Sequence, residues 1–219
     1  MWCIGQMTHE YRERMYDLLA LYARPYDPRE PVICVDEKSK QLLEHIRPAL
    51  TTRPGVVRKE DYEYRRSGTC NLFVAVEPKV GRRQIQVTAR RTKEDFVCFV
   101  RHLVTQVYAT AGKVHLVMDN LNTHLHSSFE EVIGTRAARS LLKQVVFHYT
   151  PKHASWLNMA EIEIGILDRQ CIGGRIHSIA LLTKQVATWQ RRRNTERRRI
   201  DWRFTRRDAD RKLHRHYVA

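Results

Sequence analysis

The sequence predicts an α/β domain: a mixed five-stranded sheet flanked by helices. Five short apolar segments have the pattern of buried strands, and from residue 92 onward strand and helix patterns alternate. The first three strands follow one another without a helix, which favours a hairpin or meander, whereas the later alternation favours parallel strands added to the same sheet. With 219 residues, 42% of them hydrophobic, the chain is long enough to bury such a core.

Residues 1–31 are predicted to form an N-terminal helix and a linker. Tyr11, Met15, Leu18 and Tyr22 recur at helical spacing, and ARPYDPREP then places three prolines in nine residues. Three strands are expected next, VICVDE (32–37), NLFVAVEP (71–78) and RQIQVTA (83–89), the last two joined by a turn. The polar stretch between the first two strands, about residues 38 to 70, is predicted to be a long loop.

The second half of the domain is predicted to alternate between helices and strands. The clearest helix is TKEDFVCFVRHLVTQVYATAG, in which Thr92 and Asp95 suit a capping pair and Gly112 marks the end. We then expect a strand at 113–119, a helical segment from Ser128 to Leu142 that breaks near Gly134, a strand at 145–149 and a helix after Trp156. This order of elements is that of the ribonuclease H-like fold.

The charge of the chain indicates a nucleic-acid partner. Lys and Arg number 39 against 24 Asp and Glu, and this net charge of +15 would attract a polyanion. Residues 175–219 alone contain 14 Lys and Arg against 4 Asp and Glu. Because Ile179, Leu182, Val186 and Trp189 recur there at helical spacing, we expect a basic helical extension that docks through this stripe with its arginines outward. A solvated basic face without a partner is the alternative.

The cysteines indicate a reducing compartment, and the hydropathy pattern indicates no membrane span. The five cysteines are odd in number, scattered and without a C-x-x-C pair, so neither a disulfide framework nor a zinc site is predicted. No apolar run reaches the roughly 20 residues of a membrane span, and residues 1–30 lack a signal-peptide pattern. We therefore expect a soluble, cytoplasmic protein.

Two aspartates lie at the predicted ends of apolar strands. Asp36 comes near the end of the strand at 32–37, and Asp119 ends the strand at 113–119. Ligands bind at strand ends in open sheets, although a solitary aspartate there more often accepts turn hydrogen bonds. A third carboxylate, Glu161 or Glu163, would complete a set of hard oxygen ligands for Mg²⁺, whereas three converging carboxylates without a cation would repel one another. The pattern therefore favours a metal site of the kind that cleaves phosphodiesters.

The segments that contain these acids resemble the catalytic blocks of a known family. VDEK (35–38), MDNLNTH (118–124) and HYTPKHASWLNMAEIEIG (148–165) are similar to those of DDE-type transposases from bacterial insertion sequences. The likeness is to the insertion-sequence 630 group of the mariner superfamily, and it covers nearly the whole chain from Trp2 onward. It implies a ribonuclease H-like catalytic domain, which we place at residues 32–174, followed by the basic extension at 175–219.

The resemblance implies that Asp36, Asp119 and Glu161 are catalytic residues and ligands of Mg²⁺ or Mn²⁺, with two ions expected. Its N-x-x-E element runs from Asn158 to Glu161, so Glu163 lies outside it. Helix geometry agrees that only one glutamate can serve, because residues two apart point about 200° from each other. We expect Glu163 to face solvent or a basic side chain. A capping box between Asn158 and Glu161 is the alternative role for that pair.

The family also implies DNA as substrate, because its members cut element ends from donor DNA and join the 3′ ends to a target. For His124 a surface position is an equal alternative to a DNA contact, and for Trp156 burial is the stronger one. Glu37 and Lys38, next to Asp36, are expected to support the metal ligands or to contact phosphate. A basic-aromatic cluster is expected to lie along DNA, and it consists of Tyr62, Tyr64, Arg65 and Arg66. The predicted nucleic-acid contacts are Lys38, His124, Lys152, His153, Trp156, Asn158, Arg191, Arg192 and Arg193.

The partners of the chain follow from the same resemblance. Transposases of this group carry N-terminal helix-turn-helix domains, and only 35 residues precede Asp36 here. We therefore expect no end recognition by this chain alone, a separate helix-turn-helix partner, and a homodimer during the reaction on element ends and target DNA. We therefore expect a bacterial, nucleoid-associated endonuclease and strand transferase that has little activity alone. The alternatives are a catalytically idle DNA-binding remnant and an unrelated ribonuclease H-like nuclease such as a Holliday-junction resolvase.

Overall fold

A single mixed sheet forms the centre of the protein. A computed structural model describes residues 7–47, 54–55, 61–119 and 125–217. The described strands are β1 (Val32–His45), β2 (Tyr64–Glu77), β3 (Arg82–Thr88), β4 (Val114–Met118) and β5 (Val145–Tyr149). Their order in the sheet is β3-β2-β1-β4-β5. The first three strands are antiparallel neighbours, and β4 and β5 extend the sheet from β1 in parallel, which confirms the predicted fold class.

Helices cover both faces of this sheet. The α-helices of the described residues are α1 (His9–Ala23), α2 (Lys93–His102), α3 (Leu125–Ile133), α4 (Thr135–Leu142), α5 (Met159–Leu167), α6 (Ile179–Thr195) and α7 (Arg206–Leu213). Single π-helical turns follow α2 and α5, at Leu103–Val107 and Asp168–Ile172. Short 3₁₀ turns lie at Ser155–Leu157 and His214–His216. No helix of the described residues is long and apolar enough to cross a membrane.

The predicted loop at residues 38 to 70 is wrong, because most of its described residues are strand. β1 continues to His45 and β2 begins at Tyr64, so the two strands pair as a long antiparallel arm. Much of the arm is polar and exposed, and it therefore lacks the apolar alternation from which strands are predicted. Backbone pairing is supplemented there by side chains, since Arg65 Nε donates to Glu44 Oε2 (2.9 Å) and Arg175 lies over the Tyr64 ring. Tyr64, Arg65 and Arg66 of the basic-aromatic cluster therefore belong to β2, and Tyr62 precedes this strand.

The central strands are buried because apolar side chains cover them on both sides. Ile33 and Val35 face the layer made by α2, its π-helical turn, α3 and α4. Cys34 faces the opposite layer, which contains α1, the start of α5 and α7. Farther along the same face, Leu72 and Val74 of β2 pack against α5 and α6. The layer that contains α5 is therefore also the one toward which the alternate residues of β1, including Asp36, point.

The helix ends show where local sequence determines the structure. The Thr92 side chain accepts from the Asp95 backbone and Asp95 bonds back to Thr92, so the predicted capping box is confirmed. The helix predicted as far as Gly112 ends earlier, since α2 gives way to a π-helical turn at Leu103. At the C-terminal end, residues 200–217 pack on α1, with the Trp202 and Tyr22 ring centroids 5.3 Å apart. The predicted domain boundaries at residues 31 and 174 stay predictions.

Candidate active site

The register between β1 and β4 places the two predicted aspartates side by side. Cys34 pairs with Val117, and continuing this parallel register by two residues sets Asp36 beside Asp119. β4 ends at Met118 whereas β1 runs on, so Asp36 lies within a strand and the predicted position near a strand end is wrong. Since β1 loses its neighbour on this side, both carboxylates are partly exposed at the edge where β4 stops.

Two hydroxyl groups hold the Asp119 carboxylate. Thr150 Oγ1 donates to Asp119 Oδ1 (2.8 Å), and Ser155 Oγ donates to Asp119 Oδ2 (2.9 Å). Thr150 directly follows β5, and its backbone N–H donates to Met118 O (3.0 Å), which aligns it with Asp119. Thr150 is not among the site residues predicted from the sequence. Its position after an apolar strand, matching that of Asp119, was the signal that would have identified it.

Asn158 is a structural link between α5 and β1. Its side-chain oxygen accepts from the Ala160 backbone N–H (3.1 Å), which makes it the N-cap of α5. Its Nδ2 donates to the backbone oxygen of Val35 (2.9 Å), the residue before Asp36. Because Asn158 is fully buried and both ends of its amide are occupied, the prediction that it contacts DNA is wrong. It instead fixes the start of α5 against the strand that carries Asp36.

The structure separates the two glutamates of α5. Glu161 is exposed and lies near enough to Asp119 for the two charges to interact. Glu163 has 0% exposure and forms an ion pair with Arg83, whose Nε lies 2.7 Å from Glu163 Oε1. The prediction that Glu163 faces a basic side chain is confirmed. The carboxylates that share the edge of the sheet are therefore those of Asp36, Asp119 and Glu161.

The shared edge makes these carboxyl groups hard to ionise together. Burial, together with the neighbouring charges of Asp119, Glu161 and Glu37, raises the pKa of Asp36 to about 7, against a hydrogen bond from the Glu37 backbone N–H that lowers it. Burial and the Asp119 charge also raise the pKa of Glu161, and the Ser155 hydroxyl partly offsets this. A bound cation would relieve the same repulsion, because it favours the ionised form of each acid.

The donor set fits a hard divalent cation. Three carboxylates offer the oxygen ligands that Mg²⁺ and Mn²⁺ prefer, and water or phosphate oxygens complete such sites. Among the described residues, no three His, Cys, Asp or Glu side chains are grouped closely enough to enclose a metal ion. The three carboxylates are thus an open set, to which water or phosphate oxygens would have to be added.

The predicted DNA contacts near Asp36 have different positions. Lys38 lies on the same face of β1 as Asp36, where its Nζ pairs with Asp168 Oδ2 at 2.7 Å. Glu37 points to the opposite face and pairs with Arg91 (3.1 Å), so it does not share the site. Lys152 and His153 are exposed on the loop between β5 and α5. The prediction for His124 falls outside the described residues.

Farther from the carboxylates, the predicted DNA contact that is wrong is that of Arg193. Trp156 keeps 42% of its surface exposed while it stacks on Trp202 (6.3 Å between centroids), so it is neither free nor fully buried. Arg191 and Arg192 are exposed on α6, as expected. Arg193 is buried and its Nη2 lies 3.3 Å from Glu163 Oε1, so the expectation that it faces outward to DNA is wrong. Its spacing from Trp189 continues the apolar stripe of α6, which was the available signal.

Comparison with known proteins finds similar solved structures. The structure of the Mos1 mariner paired end complex with Mn matches with a TM-score of 0.50 and 14% identity, over 88% of this chain and 58% of that chain. The Mos1 strand transfer complex matches with a TM-score of 0.49 and 15% identity, over 86% and 55% of the two chains. The Mos1 paired end complex with Mg matches with a TM-score of 0.34 and 13% identity, over 92% and 66%.

The first match carries the fold assignment, since the similarity extends over most of this chain and includes the ribonuclease H-like sheet. This chain spans only a little over half of the Mos1 chains in the first two matches. No curated protein sequence matches the chain. A family model described as DDE superfamily endonuclease matches residues 31–182, which is more than half of the sequence and includes Asp36, Asp119 and Glu161. The chain therefore belongs to the DDE superfamily of endonucleases.

Proposed function

We propose that this chain is the catalytic domain of a DNA transposase that hydrolyses phosphodiester bonds and transfers 3′-hydroxyl ends with the help of divalent metal. The observation that carries the proposal is the meeting of Asp36, Asp119 and Glu161 at one edge of the sheet in a strongly basic chain. Carboxylates that repel one another stabilise no fold, but they suit a cation site. The similar Mos1 mariner structure, which is described as a paired end complex with Mn, supports this choice.

Asp36, Asp119 and Glu161 are the residues that would hold Mg²⁺ or Mn²⁺, with two ions proposed. Bound metal would supply Lewis-acid activation of water or of a 3′-hydroxyl and would stabilise the leaving oxygen. Thr150 and Ser155 orient the two Asp119 oxygens through their hydroxyl groups, so that this carboxylate is fixed before a ligand arrives. Asn158 keeps α5, and with it Glu161, in place against β1.

DNA would approach the carboxylates across exposed basic residues. Lys152 and His153 lie on the loop that leads to α5, and Arg191 and Arg192 lie on α6. Cations of this kind contact phosphates and position the duplex without reading its sequence. The exposed part of the Trp156 ring, which adjoins Ser155, offers a stacking surface for an unpaired base. Joining two element ends in one reaction favours a homodimer.

The proposal is tested with supercoiled plasmids that carry the DNA flanking the gene, incubated with Mg²⁺ or Mn²⁺. Wild-type protein should nick or cut this DNA in a metal-dependent way. Asp119→Asn should reduce the rate at least about 100-fold, because even residues that only orient metal ligands are worth about 10- to 100-fold. Glu131→Gln, an exposed carboxylate on α3, is the matched control and should cleave like the wild type.

Equal products from the wild type and Asp119→Asn would refute the enzymatic assignment. DNA binding without cleavage by any of the proteins would instead favour the idle DNA-binding remnant. A linear duplex and a four-way junction are included as further substrates. Preference for the junction over linear duplex would favour a junction-resolving nuclease over a transposase.

A further inference from the structure

A buried ion pair joins α5, the helix that carries Glu161, to strand β3 of the sheet. The side chains of Glu163 and Arg83 are both fully buried, and that of Arg193 is 11% exposed. Arg83 belongs to β3, Glu163 to α5 and Arg193 to α6, so the three residues connect the sheet to two helices. The metal-site assignment uses none of these residues.

The geometry of the pair is fully specified. Arg83 donates to both carboxylate oxygens of Glu163, from Nε to Oε1 (2.7 Å) and from Nη2 to Oε2 (3.0 Å). Its remaining donors reach the backbone oxygens of Gly81 (2.5 Å) and Arg198. Arg193 Nη2 adds contacts of 3.3 and 3.4 Å to the same two oxygens of Glu163. A bidentate contact of this kind constrains the orientation of the two side chains more than an apolar contact does.

Such a pair is a weak source of stability. Both charges lose their hydration on burial, and apolar side chains of similar volume commonly give equal or greater stability in the same space. In some proteins buried ionic groups instead select one arrangement among several of similar energy. The relevant alternative arrangements here are rotations of α5 about its axis.

Apolar packing alone fixes that rotation loosely. Met159, Ala160, Ile162, Ile164, Ile166 and Leu167 cover about 200° of the circumference of α5. Ile162 is 43% exposed at one border of this arc, whereas Ile164 is buried at the other. A rotation of roughly 60° would exchange the exposure of the two isoleucines and would keep a similar apolar area buried. It would also carry Glu161 away from Asp36 and Asp119.

We propose that the Glu163–Arg83 pair, supported by Arg193, is a positioning device that sets the rotation of α5 and thereby aims Glu161 at the other two carboxylates. Glu163 lies near the middle of the apolar arc and Glu161 nearly opposite, so anchoring the first directs the second outward. Asn158 fixes where the helix begins, and the ion pair fixes how it is turned. The inference rests on the proposed function only for the purpose of this aim, because the rotation itself is a property of the fold.

The double variant Arg83→Met/Glu163→Met removes both charges of the pair, and it is made in a chain that also carries Arg193→Met, so that no buried charge loses its partner. Rotation is measured by adding either Ile164→Cys or Ile162→Cys to the wild type and to the double variant. Labelling by a thiol reagent is then followed peptide by peptide in the mass spectrometer. In the wild-type background the thiol at position 164 should be protected and the thiol at position 162 labelled. In the double variant the labelling at 164 should rise and that at 162 should fall.

The buried native Cys34 is the internal control for general opening, because it lies in the core of β1. General loosening would raise labelling at Cys34 and at both introduced thiols, which would refute a specific rotation. Unchanged labelling at positions 162 and 164 in a folded double variant would also overturn the proposal.

A second measurement links rotation to the site. Mn²⁺ affinity, measured by the electron paramagnetic resonance of free Mn²⁺, should weaken at least about tenfold in the double variant. Glu77 is a buried glutamate at the C-terminal end of β2, and the variant Glu77→Gln should bind Mn²⁺ like the wild type. Unchanged affinity in the double variant would overturn the aiming role. Failure of the wild type to bind Mn²⁺ would refute the proposed metal site, and the labelling result would still decide the rotation.

Discussion

Asp36 is the residue at which burial and charge conflict most. Its carboxyl lies on the strand between two covered faces, and its pKa rises to about 7 because burial and three neighbouring carboxylates disfavour ionisation. A metal ion binds the ionised form, so metal and proton compete for this group. The residue that the sequence marks as a ligand is thus also the one that the fold holds partly protonated near neutral pH.

The pH dependence of stability should report this conflict. Since the folded pKa lies above the ordinary value of 3.8, Asp36 favours the folded state at low pH, and this contribution is lost as pH rises through about 7. Asp36→Asn should therefore raise the free energy of unfolding at pH 8 without metal, by up to a few kcal/mol at about 1.4 kcal/mol per pKa unit. The gain should shrink toward pH 5.

Urea denaturation at both pH values measures this difference. Asp201→Asn, an exposed aspartate, serves as the control and should show little change at either pH. A stabilisation by Asp36→Asn of equal size at pH 5 and pH 8 would contradict the raised pKa.

At the same scale, spacing predicted some roles and missed others. The helical repeat showed that only one of Glu161 and Glu163 could serve, and the N-x-x-E element of the resembling family selected Glu161. The positions of both side chains agree with this choice. The prediction for Arg193 was wrong because a run of arginines predicts exposed side chains. Arg193 nevertheless continues the helical spacing of Val186 and Trp189. Its partner Glu163 is distant in sequence, so only the fold reveals why a cation is buried there.

Among the elements, α6 combines packing and electrostatics. Leu182, Val186 and Trp189 are buried on one side, and Arg191 and Arg192 are exposed on the other. The apolar stripe could be predicted because it follows the helical repeat. The arm of β1 and β2 could not, because its strands are stabilised by backbone pairing and polar cross-strand contacts that leave no apolar period in the sequence.

The exposed arginines of α6 should contribute to DNA affinity without sequence preference. Arg191→Gln/Arg192→Gln should weaken binding to any duplex and reduce the dependence of log K on log salt by about 0.9 for each phosphate that the variant no longer neutralises. Fluorescence anisotropy of a labelled duplex at several salt concentrations provides the measurement. Arg136→Gln/Arg139→Gln on α4 removes the same charge from another exposed surface. If both double variants showed the same salt dependence, net charge alone would explain the binding.

For the whole molecule, the sequence indicated the strands but not their neighbours. Apolar runs identified β3, β4 and β5 closely, and the order of elements suggested a mixed sheet. The position of β1 between β2 and β4 depends on contacts between residues far apart in sequence, which local patterns do not contain. This position nevertheless creates the site, because the pairing of β1 with β4 sets Asp36 beside Asp119 and the packing of α5 on the sheet adds Glu161.

The central claim is that these three carboxylates hold divalent metal. The most direct measurement is X-ray diffraction from crystals soaked in Mn²⁺, with data collected at the manganese absorption edge. The account predicts anomalous peaks within about 2.0–2.3 Å of oxygens from Asp36, Asp119 and Glu161, a little beyond the Mg²⁺ distance. Crystals of Asp119→Asn treated in the same way should lose them. The assignment would be contradicted if manganese bound to the wild type only at other places, or if Asp119→Asn gave peaks of equal strength at the three carboxylates.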